Sequence, residues 1–230
     1  MSEKRQNDLG RDPIGPLLMR LAVPTVTAQL VNALYNIVDR MYIGHMEGTG
    51  DLALTGLGVC FPVIMFVSAI SALVGAGGGS RAVVRMGAGQ EEDANAILGS
   101  CATLLVGLGL AVTVLFLLIR EPILYLFGAT ENTIGFAKDY LTVYLAGSIF
   151  VELSLGLNYF ITAQGFSTVG MATVLIGAVV NIVLDPVFIF VFDMGVRGAA
   201  LATIIAQACS AVWVLRFLTG KQAILKLRLR

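Results

Sequence analysis

Apolar residues run along this chain in six long blocks that are separated by short polar breaks. Each block is long enough to cross the hydrocarbon core of a bilayer, which needs about 20 helical residues. The pattern therefore predicts an all-α polytopic membrane protein, with a polar segment at 1–16, one helical bundle at 17–219 and a basic tail at 220–230. The six predicted spans are 17–43, 52–74, 94–119, 140–160, 171–192 and 199–218.

Composition agrees with this assignment to the bilayer, because 57% of the residues are apolar and only 13% are charged. A soluble domain of 230 residues rarely has such a balance. The polar breaks are too short to hold an extramembrane domain. The first block follows a polar leader, is too long for a signal-peptide core and has no small-residue cleavage pattern behind it, so we expect the mature protein to retain it.

Lysine and arginine are distributed unequally over the two sides of the predicted bundle. With the N-terminus inside, eleven of the 15 basic residues fall on the inner face and four on the outer face. The positive-inside rule then predicts that both termini are cytoplasmic. The formal net charge of zero gives no reason to expect a nucleic-acid partner. The inner-face residues are Lys4, Arg5, Arg11, Arg20, Arg81, Arg85, Arg216, Lys221, Lys226, Arg228 and Arg230.

The chain lacks the parts that most enzymes and metal sites need. His45 is its only histidine, which rules out a two-histidine zinc motif and leaves little for a serine dyad. The glycine-rich stretch 75–81 lacks the ending of a phosphate loop and follows an apolar helix rather than a strand. Cys60, Cys101 and Cys209 lie in three different spans without Cys-x-x-Cys spacing. We therefore expect no enzyme activity, no disulfide and no metal centre of histidine or cysteine ligands.

Polar residues inside the last two spans are the main functional evidence. Asn181 and Asp185 are four residues apart, so both project from one face of their helix. Counting about 1.5 Å per residue places Asp185 and Thr203 at a similar depth, roughly 9 Å below the outer surface. Pro186 kinks the helix beside the carboxylate. A carboxylate in this position usually marks an ion, proton or substrate path. The alternative is that Asn181 bonds a neighbouring helix and Asp185 is hydrated near the surface.

Two further acids and a second proline lie inside other spans. Asp39 is late in the first span, where it is either a functional acid or an interface residue. Glu152 is mid-span in the fourth helix, with Asn158 six residues later and broadly on the same side. We expect Glu152 and Asn158 to line a cation-accepting cavity, although Glu152 could instead pair with another polar side chain. Pro24 offers a bend point in the first span.

Four stretches of the chain resemble the N-terminal half of a multidrug and toxic compound extrusion (MATE) transporter of the bacterial drug-efflux branch. They occur in the family's order and cover nearly the whole chain. Any one of them would be weak evidence, but together they are specific. The stretches are Asn181-Ile-Val-Leu-Asp185-Pro186, Tyr35-Asn-Ile-Val-Asp39-Arg-Met-Tyr-Ile-Gly44, Gln164-Gly165 and Gly195-Val-Arg-Gly198-Ala-Ala-Leu-Ala-Thr203.

The resemblance implies a fold of twelve helices in two six-helix bundles, of which this chain supplies the first, or N-lobe. It also implies a multi-pass protein of the bacterial inner membrane. The tail at 226–230 resembles the connection to helix seven, so we expect a truncated chain whose partner is the missing second bundle. A homodimer of half-length chains is the less favoured arrangement.

The resemblance further implies antiport of organic cations or amphipathic drugs against protons or sodium. The family's cation site maps onto Asp39, Asn181, Asp185 and Thr203, and Asn158 matches a cavity position. We therefore expect these acids to bind the coupling ion, with Pro24 and Pro186 as hinges. The alternatives are a lipid-linked-sugar flippase of the same superfamily and a membrane assembly unit that transports nothing. An intramembrane enzyme is the weakest candidate.

Overall fold

The computed structural model describes residues 13–227, and within this range all the regular structure is helical. Residues 1–12 and 228–230 lie outside the described range, and with them most of the predicted polar segment and five of the predicted inner-face cations. The helices are α1 Ile14–Gly44, α2 Gly50–Gly87, α3 Glu91–Leu126, α4 Ile134–Ala146, α5 Ser148–Ala163, α6 Ser167–Pro186, a π-helix at Val187–Val191, and α7 Gly195–Leu218.

Six membrane spans account for these helices if one bent pair is counted as a single span. Five are long and apolar enough by themselves, and α4 and α5 pass the same test together although their axes differ by 57°. The prediction of an all-helical six-span bundle is confirmed, but the span predicted at 140–160 is a bent pair. The bend lies at Gly147, where a Cβ atom would overlap the side chain of Ile204 on α7. Glycine therefore lets α7 approach the bend closely.

The helices run alternately up and down. We call the end where α1 begins and α7 ends the lower end, and the opposite end the upper end. Helix α2 extends well past the apolar block predicted at 52–74, because its helical backbone continues through Arg81 and Arg85 to Gly87 at the lower end. Helix α3 likewise begins three residues before its predicted span and ends seven residues after it, at Leu126. Polar residues at both ends of the bundle are thus still helical.

Two apolar cores hold the bundle together. The upper core contains Ile43, Leu57, Leu141 and Ile189 among its members, drawn from α1, α2, α4 and the π-helix. The lower core is built from α2, α3, α5, α7 and the segment after α7. Helix α1 packs chiefly along α6, and α2 packs chiefly on α5 and α3. The contact between α1 and α6 is the one that positions the predicted cation site.

Helix α6 changes its winding at Pro186. Because proline has no amide hydrogen, the α-helical bonding pattern cannot continue through it. The chain turns into the π-helix Val187–Val191, which ends with the amide of Phe192 bonded to the carbonyl of Val187 at 2.9 Å. Gly198 of α7 packs against this turn, and a Cβ there would lie 2.7 Å from the carbonyl oxygen of Phe188. The predicted kink is therefore a widened helical turn.

The segment after α7 folds back onto the lower end of the bundle. The Oε1 atom of Gln164 accepts hydrogen bonds from the amides of Ile224 and Leu225, at 2.9 and 2.8 Å. The amide of Lys226 donates to Oδ1 of Asn95 at 2.7 Å. Leu225 and Leu227 are buried in the lower core. Residues 219–227 are therefore a docked part of the bundle, and we call them the docked segment.

Candidate cation site and cavity

A pair of buried carboxyl groups lies near the upper end, between α1 and α6. Asp39 on α1 is 8% exposed and Asp185 on α6 is fully buried. Their side chains lie within hydrogen-bonding reach of each other. Two carboxyl groups at this distance repel each other when both are ionised, so a proton or another cation stabilises the pair.

Polar side chains on α6 and α7 extend the acid pair. The amide nitrogen of Asn181 donates to Oδ1 of Asp185 at 3.0 Å and to the hydroxyl of Thr203 at 3.4 Å. Tyr140 of α4 lies beside Thr203. The four residues predicted for the cation site, Asp39, Asn181, Asp185 and Thr203, thus lie together. Asn181 contacts Asp185 because the two are four residues apart on α6, and it contacts Thr203 because Thr203 lies at a similar depth on α7.

Three oxygen atoms in this group are buried and have no hydrogen-bond partner. They are Oδ1 of Asp39, Oδ2 of Asp185 and Oδ1 of Asn181. Buried polar atoms without a partner are rare in folded proteins and call for an explanation. An oxygen-ligated cation would satisfy all three, whereas a proton on one carboxyl would satisfy at most two of them. The three oxygens therefore fit a hard cation such as sodium, and the two carboxyl groups can alternatively share a proton.

A cavity of about 550 Å³ opens beside the acid pair, between α1, α2, α5, α6 and α7. Asn181 and Thr203 line it, so they connect the cavity to the carboxyl groups behind them. The rest of the cavity is lined by neutral hydroxyl and amide groups and by apolar side chains, and no described residue that lines it is basic. The neutral polar members include Thr25, Gln29, Asn32, Ser154, Asn158, Thr173, Gln207 and Ser210.

Hydrogen bonds fix the cavity wall where α5, α6 and α7 meet. Oδ1 of Asn158 accepts from the hydroxyl of Thr173 at 3.1 Å, and its amide donates to the carbonyl of Gly170 at 3.3 Å. The hydroxyl of Ser154 donates to Gln207 of α7. Asn158 therefore lines this cavity and also joins α5 to α6.

Glu152 does not line this cavity, in contrast to the expectation. Its carboxyl group faces Gly109 of α3 on another side of α5. The reason is helical geometry: six residues rotate a helix by about 600°, so Glu152 and Asn158 point roughly 120° apart. The grouping of these two residues on one face was wrong. Glu152 is fully buried, and neither of its carboxyl oxygens has a hydrogen-bond partner.

The remaining predicted residues occupy defined places on α1. Arg40 turns away from Asp39 and lies over the ring of Phe61, 5.7 Å from its centre. Asp39 and Arg40 therefore form no ion pair, although Arg40 is near enough to act electrostatically on Asp39. Pro24 lies in the lower half of α1, which is helical from Ile14 to Gly44 without a break. Its assignment as a hinge stays a prediction.

Two tyrosines at the site were missed by reasoning from the sequence. Tyr35 lies near both Asp39 and Asp185, and Tyr140 contacts Thr203. The i, i+4 spacing of Tyr35 and Asp39 on one helix face was a signal that could have found the first. Nothing in the sequence pointed to Tyr140, because only the packing of α4 against α7 brings it there.

Comparison with known proteins identifies the family. A model of the MatE family matches residues 24–187 of the chain. The multidrug export protein MepA of Staphylococcus saprophyticus is 29% identical over 215 residues, covering 92% of this chain. A multidrug resistance MATE family transporter solved in an outward-facing conformation superimposes with a TM-score of 0.85 at 27% identity, covering 93% of this chain and 47% of that chain.

A MOP superfamily transporter from Pyrococcus furiosus superimposes with a TM-score of 0.86 at 28% identity, over 93% of this chain and 47% of that chain. The chain belongs to the MatE family, and its predicted identity as the N-terminal half of a MATE transporter is confirmed. It spans about half the length of the relatives it matches, since it covers 47% of MepA.

Proposed function

We propose that this chain forms the N-lobe of a secondary active multidrug exporter of the bacterial inner membrane, working by antiport against protons or sodium. The buried acid pair of Asp39 and Asp185, open to a neutral cavity through Asn181 and Thr203, is the observation that carries the proposal. MepA, which shares 29% identity with the chain, is named a multidrug export protein. The proposed partner is a second six-helix bundle, with a homodimer as the less favoured arrangement.

The acid pair can exchange one cation for another because its charge is uncompensated. No basic side chain among the described residues forms an ion pair with Asp39 or Asp185. Removing charge from water is expensive, so the pair needs a proton, a sodium ion or a cationic drug nearby. A site that must hold one cation at a time couples drug release to ion entry.

Sodium binding would use the three unpartnered oxygens on Asp39, Asp185 and Asn181. Sodium would place one positive charge between the two carboxylates and so cancel one of their two negative charges. A proton would instead occupy one carboxyl and turn the pair into a hydrogen-bonded acid and carboxylate. Both ions therefore have the same electrostatic effect on the pair.

The composition of the cavity supports an organic cation or amphipathic drug as the exported molecule. Amide and hydroxyl groups alternate there with alanine, methionine and tyrosine side chains, so the wall contacts both polar and apolar parts of a ligand. A flippase for phosphate-linked lipids would need basic groups in this position. Since none of the cavity-lining residues is basic, the flippase alternative has no support from the site.

The proposed cycle has two states. They differ in which cation compensates the negative charge of Asp39 and Asp185. A drug occupies the cavity while Asp39 and Asp185 are deprotonated. A proton or sodium ion from outside then binds the pair in place of the drug's positive charge, α1 repacks near Pro24, and the drug leaves outward. This coupling requires that drug and ion favour different states.

Substitution of the acids tests the proposal. Asp185→Asn and Asp39→Asn keep the size of each side chain but remove its charge. With either variant placed in the full-length transporter, which includes the second bundle, cells should accumulate a cationic dye to the level of cells without the transporter. Asp193→Asn is the matched control, because Asp193 is exposed and has a positive φ of 53°, which asparagine also adopts. Export at the parent rate in both acid variants would overturn the proposal and favour an assembly unit that transports nothing.

A further inference from the structure

Glu152 is a third buried acid, and the proposed cation site does not use it. It lies on α5, just after the bend at Gly147, and its side chain is fully buried. Both of its oxygens lack a hydrogen-bond partner. It belongs neither to the acid pair between α1 and α6 nor to the lining of the cavity. Its position therefore needs an explanation of its own.

A glycine on α3 makes room for the Glu152 carboxyl group. A Cβ atom built on Gly109 would lie 3.3 Å from both Cδ and Oε2 of Glu152. That distance is tighter than most real Cβ contacts, so alanine at this position would displace the carboxyl group. Glycine in a helix interior otherwise lowers helix stability, by about 1 kcal/mol relative to alanine. The pocket on α3 is thus fitted to the carboxyl group.

Contacts one helical turn away close this pocket above and below. One turn above, the hydroxyl of Thr113 donates to the carbonyl of Leu145 at 2.9 Å and bonds to the hydroxyl of Ser148 at 2.8 Å. One turn below, Leu105 fills the space left by Gly156. The three pairs 113/148, 109/152 and 105/156 are spaced by four residues on both helices, so they form one continuous contact.

The charges around Glu152 leave it without a counterion. Helices α2, α3, α4, α6 and α7 all pack against α5. Among the described titratable groups on these helices, Tyr144 of α4 is the one that interacts electrostatically with Glu152. Asp39 and Asp185 act on each other and on Tyr35 instead. An ionised carboxylate without a partner in a low-dielectric interior is costly, and the group takes up a proton instead.

We propose that Glu152 is a proton-binding site of its own, separate from the acid pair, which stays protonated while α3 and α5 are packed together at Gly109. Its proton leaves only when this contact opens far enough for water to reach the carboxylate. The proposal does not depend on the export activity proposed above. It concerns which acid holds a proton, and a spectroscopic measurement can test it without transport.

Infrared spectroscopy of the protein in lipid nanodiscs at neutral pH tests the proposal, because a protonated carboxyl group has a C=O stretch that an ionised one lacks. Labelling only the glutamates with ¹³C shifts the band of a protonated glutamate and leaves aspartate bands in place. The other described glutamates are exposed to solvent, unlike Glu152. These are Glu47, Glu91, Glu92, Glu121 and Glu131.

We expect one label-sensitive protonated band in the parent protein, its loss in Glu152→Gln, and its persistence in the double variant Asp39→Asn/Asp185→Asn. Exchange of this proton for deuterium should be slow, because Thr113 and Leu105 close the pocket. A parent spectrum without any label-sensitive protonated band would overturn the proposal. The labelled parent protein decides the question even if Glu152→Gln fails to fold.

Gly109→Ala supplies a second, independent readout. The added methyl group would press on the carboxyl group at 3.3 Å and alter its surroundings, so the label-sensitive band should change frequency. Gly107→Ala, on another face of α3 with open space around it, should leave the band where it is. An unchanged band in Gly109→Ala would place the protonated glutamate elsewhere and overturn the assignment. Loss of export in the acid-pair variants with the band intact would separate the two proposals.

Discussion

The two halves of the cation site rest on very differently packed helices. Of the 31 residues of α1, only Ala28, Asp39 and Ile43 are buried. Helix α2 buries many more and meets α5 through direct backbone approach, where Gly75 lies against Gly156. Helix α1 therefore lies on the outside of the bundle, whereas α2 and α5 pack closely against each other at its centre. The acid pair is thus split between α1, most of which is not buried, and α6, which packs along α1 and buries more of its own residues.

This difference indicates which part of the molecule can move. Elements with few buried contacts open at lower free energy than the core does. Because Asp39 is on α1, a small shift of that helix changes the distance between the two carboxyl groups. The packed centre formed by α2, α3 and α5 would stay in place. The cation site thus lies where a change in the charge of the acid pair can alter the packing of α1.

The strongest test of the packed centre is a methyl group placed in the α2–α5 contact. In Gly75→Ala the new Cβ would overlap the carbonyl oxygen of Gly156 and lie 2.9 Å from its Cα, so backbone must shift. Overpacking of this kind costs about 1–3 kcal/mol. We expect the thermal unfolding temperature in nanodiscs to fall clearly, as followed by circular dichroism.

Gly77→Ala is the matched control for this test. Gly77 is two residues further along the same helix, is exposed, and would place its Cβ in open space. Its unfolding temperature should stay the same or rise, because alanine favours the helix. Equal unfolding temperatures for Gly75→Ala and the parent protein would mean that α2 and α5 are not packed so closely, and the comparison would fail.

A smaller effect is expected at the lower end, where Gln164 holds the docked segment. Gln164→Leu removes the acceptor of two backbone amides, those of Ile224 and Leu225. Net hydrogen-bond contributions are about 1 kcal/mol, and water at the surface can replace part of the loss. We expect a modest loss of stability and faster trypsin cleavage after Lys221 and Lys226.

Gln222→Leu controls for the change of side-chain type, since Gln222 is exposed in the same segment. Its cleavage rate should match that of the parent protein. If Gln164→Leu is cleaved no faster than Gln222→Leu, then the two amide bonds do not hold the segment in place.

Periodicity and spacing predicted much of this fold and site. Apolar blocks gave the six spans, and the four-residue spacing of Asn181 and Asp185 gave their contact. The bend at Gly147 was not predicted, because the sequence is apolar on both sides of it. The misplacement of Glu152 was an error of helical phase that the sequence itself could have corrected.

The spacing of residues in the sequence could not predict contacts between distant parts of the chain. Tyr140 joins Thr203 only through the packing of α4 on α7. The docked segment was expected to be a basic tail, yet Leu225 and Leu227 are buried in the lower core. Two leucines on either side of a lysine give no periodic pattern that would distinguish a docked segment from an exposed one.

The most direct test of the comparison uses one proline from each kind of helix. Pro24 is in α1 and Pro62 is exposed in α2. Replacing either with alanine restores one backbone hydrogen bond, so stability should change by no more than about 1 kcal/mol. If α1 is the helix that moves, Pro24→Ala should slow dye export, because hinge residues absorb the backbone change of such a motion. Pro62→Ala should export at the parent rate. Equal export by the two variants, at equal protein levels, would remove Pro24 as the hinge and leave the motion of α1 without a bend point.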